Sequence, residues 1–245
     1  MAAMRPAMRV LRLQGFPIFR QLQLEERLMH KSDENWCVFN NGTSPPTIVM
    51  GVSGSPEELL DVDAVSRDGI PVVRRFSGGG TVIVDEDTLF VTLICSRKAI
   101  PSLELFPRTI LKWTGELYKN VFLDNPDFTV HEQDYAFGQT KIAGNAESIS
   151  KDRWLHHTSF LWDYSPARMA YLTIPRRAPA YRLGRSHGDF ICKLKDYLSY
   201  REELAELLED ALGRHFCLER TRLEDVDEEE YKHRTRFVEL LRSPI

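Results

Sequence analysis

The sequence predicts an α+β, or mixed α/β, fold. Three observations predict it: short apolar or alternating segments of strand length recur through the first two thirds, patterns of helical period stand between them, and three consecutive glycines join two of the strand-like segments. Strands and helices alternate irregularly, with no internal repeat or low-complexity tract. At 245 residues, 42% of them hydrophobic, the chain can bury one substantial core, and a single domain is expected.

Val10 to Leu13 reads as a short strand, and Gln21 to Met29 sets Leu22, Leu24 and Leu28 among Glu and Arg, the pattern of a surface helix. Trp36 to Phe39 alternates as a strand does. The Asn40 to Pro46 segment is a turn by composition and hands over to the apolar run Thr47 to Val52, so this pair reads as a hairpin. Pro56 to Leu60 suits a short helix with proline at its first position. Ile70 to Phe76, Thr81 to Val84 and Leu89 to Cys95 read as strands, which puts Gly78, Gly79 and Gly80 at a strand junction. Pro101 to Phe122 repeats apolar residues at three and four, an amphipathic helix. Gln139 to Ala146 and Leu155 to Trp162 are strands joined by a polar turn at Ser148 to Arg153. Beyond Pro166, two basic stretches, Pro175-Arg176-Arg177 and Pro179 to Arg185, lead to a helix from about Tyr200 to Leu212 and a charged tail with Glu228-Glu229-Glu230.

A net charge of -4 supplies no overall basic field, which argues against non-specific nucleic-acid binding. Cys37, Cys95, Cys192 and Cys217 are dispersed with no C-x-x-C pair, so neither a zinc knuckle nor a redox dithiol is expected, and a reducing compartment fits. No apolar run approaches the roughly 20 residues of a membrane span. The expectation is a soluble intracellular protein, cytoplasmic in the first instance. Arg5, Arg9, Arg12 and Arg20, with no acid before Glu25, keep an organelle open as the alternative, although the folded pattern starts by about Val10.

Four places carry candidate chemistry. In Arg74-Arg75-Phe76-Ser77-Gly78-Gly79-Gly80-Thr81, glycines permit close backbone approach, amides can face an anion, and an arginine can take phosphate bidentately. The alternative is a tight strand connection with two solvated arginines. The spacing is neither a P-loop nor a Rossmann fingerprint. In Gln139-Thr140-Lys141-Ile142-Ala143-Gly144-Asn145-Ala146, a lysine within an apolar strand could stabilise an oxyanion or phosphate, unless it is simply solvated. His156 and His157, adjacent on a strand, point to opposite faces and cannot easily share a metal, so at most one lines a site. Cys192, five residues from His187, is a nucleophile only if its pKa is depressed; otherwise it is a buried thiol.

Read together, the Gly69 to Val82 segment resembles the Arg-Arg-x-x-Gly-Gly-Gly loop of the lipoate-protein ligase A family, within the biotin/lipoate A/B protein ligase superfamily. Lys141 to Ala146 is similar to that family's lysine motif, and His156-His157-Thr158-Ser159 falls where the family carries a His-His pair. The likeness runs from about Val10 to Asp163 and more loosely to Leu194. It implies a class II aminoacyl-tRNA synthetase/biotin ligase-like catalytic domain, with a mixed, mainly antiparallel sheet flanked by helices. The implied layout is one catalytic domain over residues 1-245, its core about 10-195, a helical C-terminal segment about 196-245 and no separate accessory domain. The resemblance further implies Lys141 as the catalytic residue. Arg75, Ser77, Gly78, Gly79, Gly80, Thr81, Gly144, Asn145 and His157 would bind substrate and nucleotide, and no residue is expected to be a metal ligand.

By the same resemblance the substrates are ATP with Mg2+ and lipoate or octanoate. The acceptor is a lysine of a lipoyl-domain protein, such as a 2-oxoacid dehydrogenase E2 or glycine cleavage H protein, with a separate accessory subunit an option. Nucleic acid and membrane partners are not expected. Two departures stand out. Where many ligases have Gly-Arg-x-Gln-Asn the chain has Gly51-Val52-Ser53-Gly54-Ser55, and where they have His-Asp-x-Gly-Asn it has Val84-Asp85-Glu86-Asp87-Thr88. They keep open a carrier-dependent octanoyl or lipoyl transferase, by way of a Cys192 thioester or direct transfer, and a non-catalytic acyl-binding protein. Biotin ligase chemistry is a further possibility within the superfamily, which the lysine and His-His motifs favour less.

Overall fold

In the computed structural model, residues 5–175, 178–226 and 230–240 are described. Arg176, Arg177, Glu228 and Glu229 of the predicted basic stretch and charged tail lie outside them. The strands are β1 (Ala7–Gln14), β2 (Trp36–Asn41), β3 (Thr47–Met50), β4 (Val72–Arg74), β5 (Val82–Val84), β6 (Thr88–Ser96), β7 (Phe128–His131), β8 (Asp134–Phe137), β9 (Thr140–Ile149), β10 (Arg153–Leu161), β11 (Cys217–Thr221) and β12 (Arg236–Phe237). The helices are α1 (Ile18–Lys31), α2 (Pro56–Leu59), α3 (Val62–Asp68), α4 (Pro107–Val121), α5 (Pro166–Met169), α6 (His187–Phe190) and α7 (Arg201–Gly213).

Two sheets result. The larger has the order β11-β1-β2-β6-β10-β9-β8-β7, and the smaller β12-β4-β3-β5. In the larger, β11, β1 and β2 run parallel and every other neighbouring pair runs antiparallel. The predicted mixed, mainly antiparallel sheet flanked by helices is what forms.

Strand alternation sorts the core of the larger sheet into two layers. Met8, Val10, Cys37, Phe39, Val91, Leu93 and Trp154 share one face and join Ile110, Leu111 and Tyr118 of α4 and Leu204 and Leu208 of α7. Leu11, Leu13, Trp36, Val38, Ile94 and Leu155 face the other way, onto Leu24, Leu28 and Met29 of α1. A further cluster, Ile18 and Leu22 with Val49, Val73, Val84 and Phe90, packs the smaller sheet against α1 and β6. Burial of this many large side chains, at about 1.5–3 kcal/mol each, is the main drive to the architecture.

Two expectations differ from the structure. The segments Trp36 to Phe39 and Thr47 to Val52 are not a hairpin: β2 pairs with β1 and β6, while β3 pairs with β4 and β5. The Asn40 to Pro46 turn, which includes a cis Ser44-Pro45 bond, carries the chain from one sheet to the other. Nor is α1 a surface helix, because Gln21, Glu25 and Glu26 are buried along with its leucines. These three meet protein partners where a surface helix would meet water, while Arg20, His30 and Lys31 stay exposed. The strands β7 and β8 and the helix α3 are not legible in the sequence as separate elements. Beyond residue 196, α7 lies on α4 and β11 extends the larger sheet beside β1.

Candidate active site

The glycine loop leaves β4 at Arg74, passes over Gly51 at the end of β3 and settles on β9. Gly78 N donates to Glu147 O at 2.9 Å, and Val52 N donates to Ser77 O at 3.0 Å. Gly79 has φ 102°, and a Cβ there would lie 2.8 Å from Asn145 O and 3.0 Å from Ala146 Cα, so a side chain cannot fit. Gly51 is the floor of the same crossing: its Cβ would sit 2.3 Å from Gly79 O. The departure from the ligase pattern after β3 therefore retains the one glycine that lets the loop pass.

Both arginines of the loop brace backbone. Arg75 is buried, and its guanidinium donates to Gly78 O (2.8 and 3.2 Å), Gly80 O (2.8 Å) and Val49 O (3.4 Å). Burial pushes its pKa down to about 10, still cationic at neutral pH. Arg74 donates to Gly54 O at 2.6 Å and Val52 O at 3.2 Å. Drawing the loop carbonyls inward leaves the amides of Gly79, Gly80 and Thr81 without a backbone acceptor among the described residues.

Four of the predicted site residues also carry a buried polar atom with no hydrogen-bond partner among the described residues: Ser77 Oγ, Thr81 Oγ1, Asn145 Oδ1 and His157 Nε2. Buried polar groups are normally satisfied, and these four lie on the loop, on β9 beneath it and on β10; atoms without a partner among the described residues also occur elsewhere, at Ser66, Tyr118 and Trp154. Gly144 lies beneath the loop, where a Cβ would be 3.2 Å from Ser159 Oγ and 3.3 Å from Val82.

Lys141 stands at the other end of β9. The β8–β9 register slips between Tyr135↔Ala143 and Ala136↔Lys141, with Ile142 as the extra residue. Such a bulge re-aims neighbouring side chains. Here it lets Ile142 and Ala143 both enter the core while Lys141 stays partly exposed and meets Asp134, Nζ to Oδ1 2.6 Å. Tyr181 donates its hydroxyl to the other oxygen, Asp134 Oδ2, at 2.9 Å.

The two histidines take opposite faces, as their adjacency predicts. His156 lies between Glu147 (3.1 Å) and the Tyr135 hydroxyl (3.0 Å), which in turn donates to Thr114 of α4. His157 points to α1, with Nδ1 3.1 Å from both Glu25 Oε2 and Thr92 Oγ1. Burial outweighs Glu25 and depresses its pKa. Its ring meets Phe76 and Phe90 in T-shaped contacts. Glu25, Asp134 and Tyr181 escape sequence reasoning, since nothing in their own neighbourhoods marks them; each is recruited from a distant segment.

The acidic departure Asp85-Glu86-Asp87 forms a structural turn. Arg168 binds Asp85 (2.6 Å) and Glu86 (2.9 Å), and Arg201 pairs with Asp87. Cys192 does not have the environment of an activated thiol: its Sγ faces Thr140 O and Lys141 O at 3.8 and 3.7 Å, and burial raises its pKa. An apolar groove of about 270 Å³ lies elsewhere, between Pro17, Ile18, Phe19, Pro45, Pro71 and Phe237, and includes none of the predicted site residues. No described helix is long and apolar enough to cross a membrane.

The model of the lipoyl protein ligase A/B catalytic domain matches residues 17–216, and the chain belongs to that family. It is 26% identical over 239 residues to the inactive lipoate-protein ligase 2 of Plasmodium falciparum (74% of this chain, 61% of that one). It is 28% identical over 165 residues to a putative lipoate-protein ligase A of Aeropyrum pernix (66% and 60%). The chain thus spans about three fifths of the length of these relatives. Among solved structures, the bipartite lipoate protein ligase of Thermoplasma acidophilum superposes with TM-score 0.74 at 19% identity, covering 90% of this chain and 88% of that one. An ATP-bound lipoate-protein ligase A gives 0.72 at 19%, covering 91% and 90%. These two likenesses concern the fold.

Proposed function

We propose that the protein activates lipoate or octanoate with ATP as an acyl-adenylate and transfers the acyl group to a lysine of a lipoyl-domain protein. The observation that carries this reading is the set of buried polar atoms and loop amides at the glycine loop with no protein partner among the described residues, on a loop that rests on the same strand as Lys141. In the first step a carboxylate oxygen bonds to the α-phosphorus and pyrophosphate leaves. In the second, the acceptor amine attacks the acyl carbonyl, AMP leaves and the amine loses its proton.

The chain's groups have distinct tasks. The Gly79 to Thr81 amides and the Ser77 and Thr81 hydroxyls cradle the acyl-phosphate, held in place by Arg75. Lys141 stabilises charge on the carbonyl and phosphate oxygens, its ammonium positioned by Asp134. Gly144, Asn145 and His157 border the acyl pocket. Mg2+ arriving with ATP would neutralise the triphosphate through the phosphate oxygens; among the described residues no group of three or more His, Cys, Asp or Glu side chains is placed to hold a metal, and both oxygens of Asp134 are taken by Lys141 and Tyr181.

The acceptor would be a lipoyl domain of a 2-oxoacid dehydrogenase E2 or a glycine cleavage H protein, with an accessory subunit supplied separately if the reaction needs one. Pyrophosphate exchange into ATP tests the reading. Exchange that requires lipoate or octanoate and disappears in Lys141→Ala is expected. Bound acid with no exchange would contradict adenylate formation and leave an acyl-binding protein without turnover.

A further inference from the structure

The basic stretch from Pro179 to Arg185 reaches the neighbourhood of Lys141 through Asp134, which Tyr181 and Lys141 share. Glu132 Oε1 accepts from Ala180 N (2.6 Å) and Tyr181 N (3.4 Å), and the Tyr181 ring stacks on His131. Ile191 bridges to Lys141, and Cys192 N donates to Lys141 O at 2.9 Å. Residues 180–192 therefore form a strap that touches β7, β8 and β9 in turn.

Within the strap Arg182 is anomalous. It is 4% exposed, and its Nε donates to Arg185 O at 2.9 Å, but Nη2 is buried with no hydrogen-bond partner among the described residues. Its guanidinium lies over the Phe190 ring at 4.9 Å, which orients it without using its donors. The nearby carboxylate, Asp134, is already engaged by Lys141 and Tyr181. His187 is close enough to Arg182 and Lys141 that both charges, after burial, lower its pKa. A second cation is Arg185, whose guanidinium lies over the same Phe190 ring at 5.2 Å; a buried unpartnered donor on one permanent cation beside another is an anion site short of its anion.

We propose that Arg182 is a phosphate-binding residue, its free Nη2 taking a phosphoryl oxygen of the nucleotide whose reacting group is held by Lys141. The inference rests on the adenylate reading for the nucleotide, while the anion site itself rests on Arg182. Its planar fork suits a phosphoryl group better than an ammonium would.

Titration of AMP, ATP, inorganic pyrophosphate, adenosine and lipoate into the wild type, Arg182→Met and Arg182→Lys tests it. Arg182→Met is expected to lose about ten- to hundredfold in affinity for the phosphate-bearing ligands. Adenosine and lipoate should bind as before, and Arg182→Lys should recover part of the loss. A merely structural role would weaken all the ligands alike. If Arg182→Met does not fold, Arg182→Lys carries the test, with a several-fold loss confined to phosphate-bearing ligands. Unchanged AMP and pyrophosphate affinity in the variants overturns the proposal and leaves the ligase reading intact. Pyrophosphate binding that depends on Arg182, without lipoate or AMP binding, supports the anion site and contradicts the ligase reading. A wild type that binds none of the phosphate-bearing ligands overturns both.

Discussion

Arg75 and His157 show how much of this site is inward-facing chemistry. The guanidinium of Arg75 satisfies carbonyls of Gly78, Gly80 and Val49 instead of meeting solvent. Arg75→Met should therefore cost about 2–4 kcal/mol in urea unfolding, more than a surface arginine, because buried carbonyls lose charge-assisted donors. His157 gives a pH signature. Its folded pKa lies below the ordinary 6.5 because of burial, so the unfolded chain takes up the proton first. That contribution to stability is complete above about pH 6.5 and declines as the pH falls below it. The melting temperature should drop from pH 7 to pH 5, less steeply in His157→Gln. Lys141 and the glycines are legible in the sequence because local motifs carry them. Asp134, Glu25 and Tyr181 are not, since only the fold brings them to Lys141 and His157.

At the scale of elements, the loop's three glycines are not equivalent. A Cβ at Gly79 would collide with Arg75 Nη2 and Asn145 O, whereas one at Gly80 meets nothing within 4 Å. Gly79→Ala should destabilise the protein by about 1–3 kcal/mol and Gly80→Ala by far less, read by urea denaturation. The helix α1 is tied to the strand β12: Glu26 accepts from Arg234 N (2.7 Å) and Thr235 N (3.0 Å), and Phe237 stacks on Phe19 at 4.2 Å. This helix is legible as a helix but not as a buried one, because its glutamates carry the same pattern whether they face water or backbone amides. The β2–β3 link reads as a hairpin for a related reason: a turn composition does not say which sheet the next strand joins.

Across the whole molecule, the class and most of the elements follow from periodicity, which is set by burial on two faces of one large sheet. What periodicity leaves out is the second sheet, joined to the first through α1 so that the glycine loop descends onto β9. The sequence departures from the ligase pattern also resolve at this scale. The acidic turn at Asp85 to Asp87 is claimed by arginines from α5 and α7, and Gly51 remains as the seat of the loop. Arg168→Ala should accordingly lower the melting temperature by several degrees, since it strands the buried carboxylate of Asp85.

Whether the glycine loop and Lys141 form one acyl-adenylate site is tested most directly by isothermal titration of lipoyl-adenylate into wild type and Lys141→Ala. Tight binding by the wild type that weakens at least about tenfold in the variant is expected. Wild-type protein that fails to bind lipoyl-adenylate, or a variant that binds it equally well, would contradict a shared site.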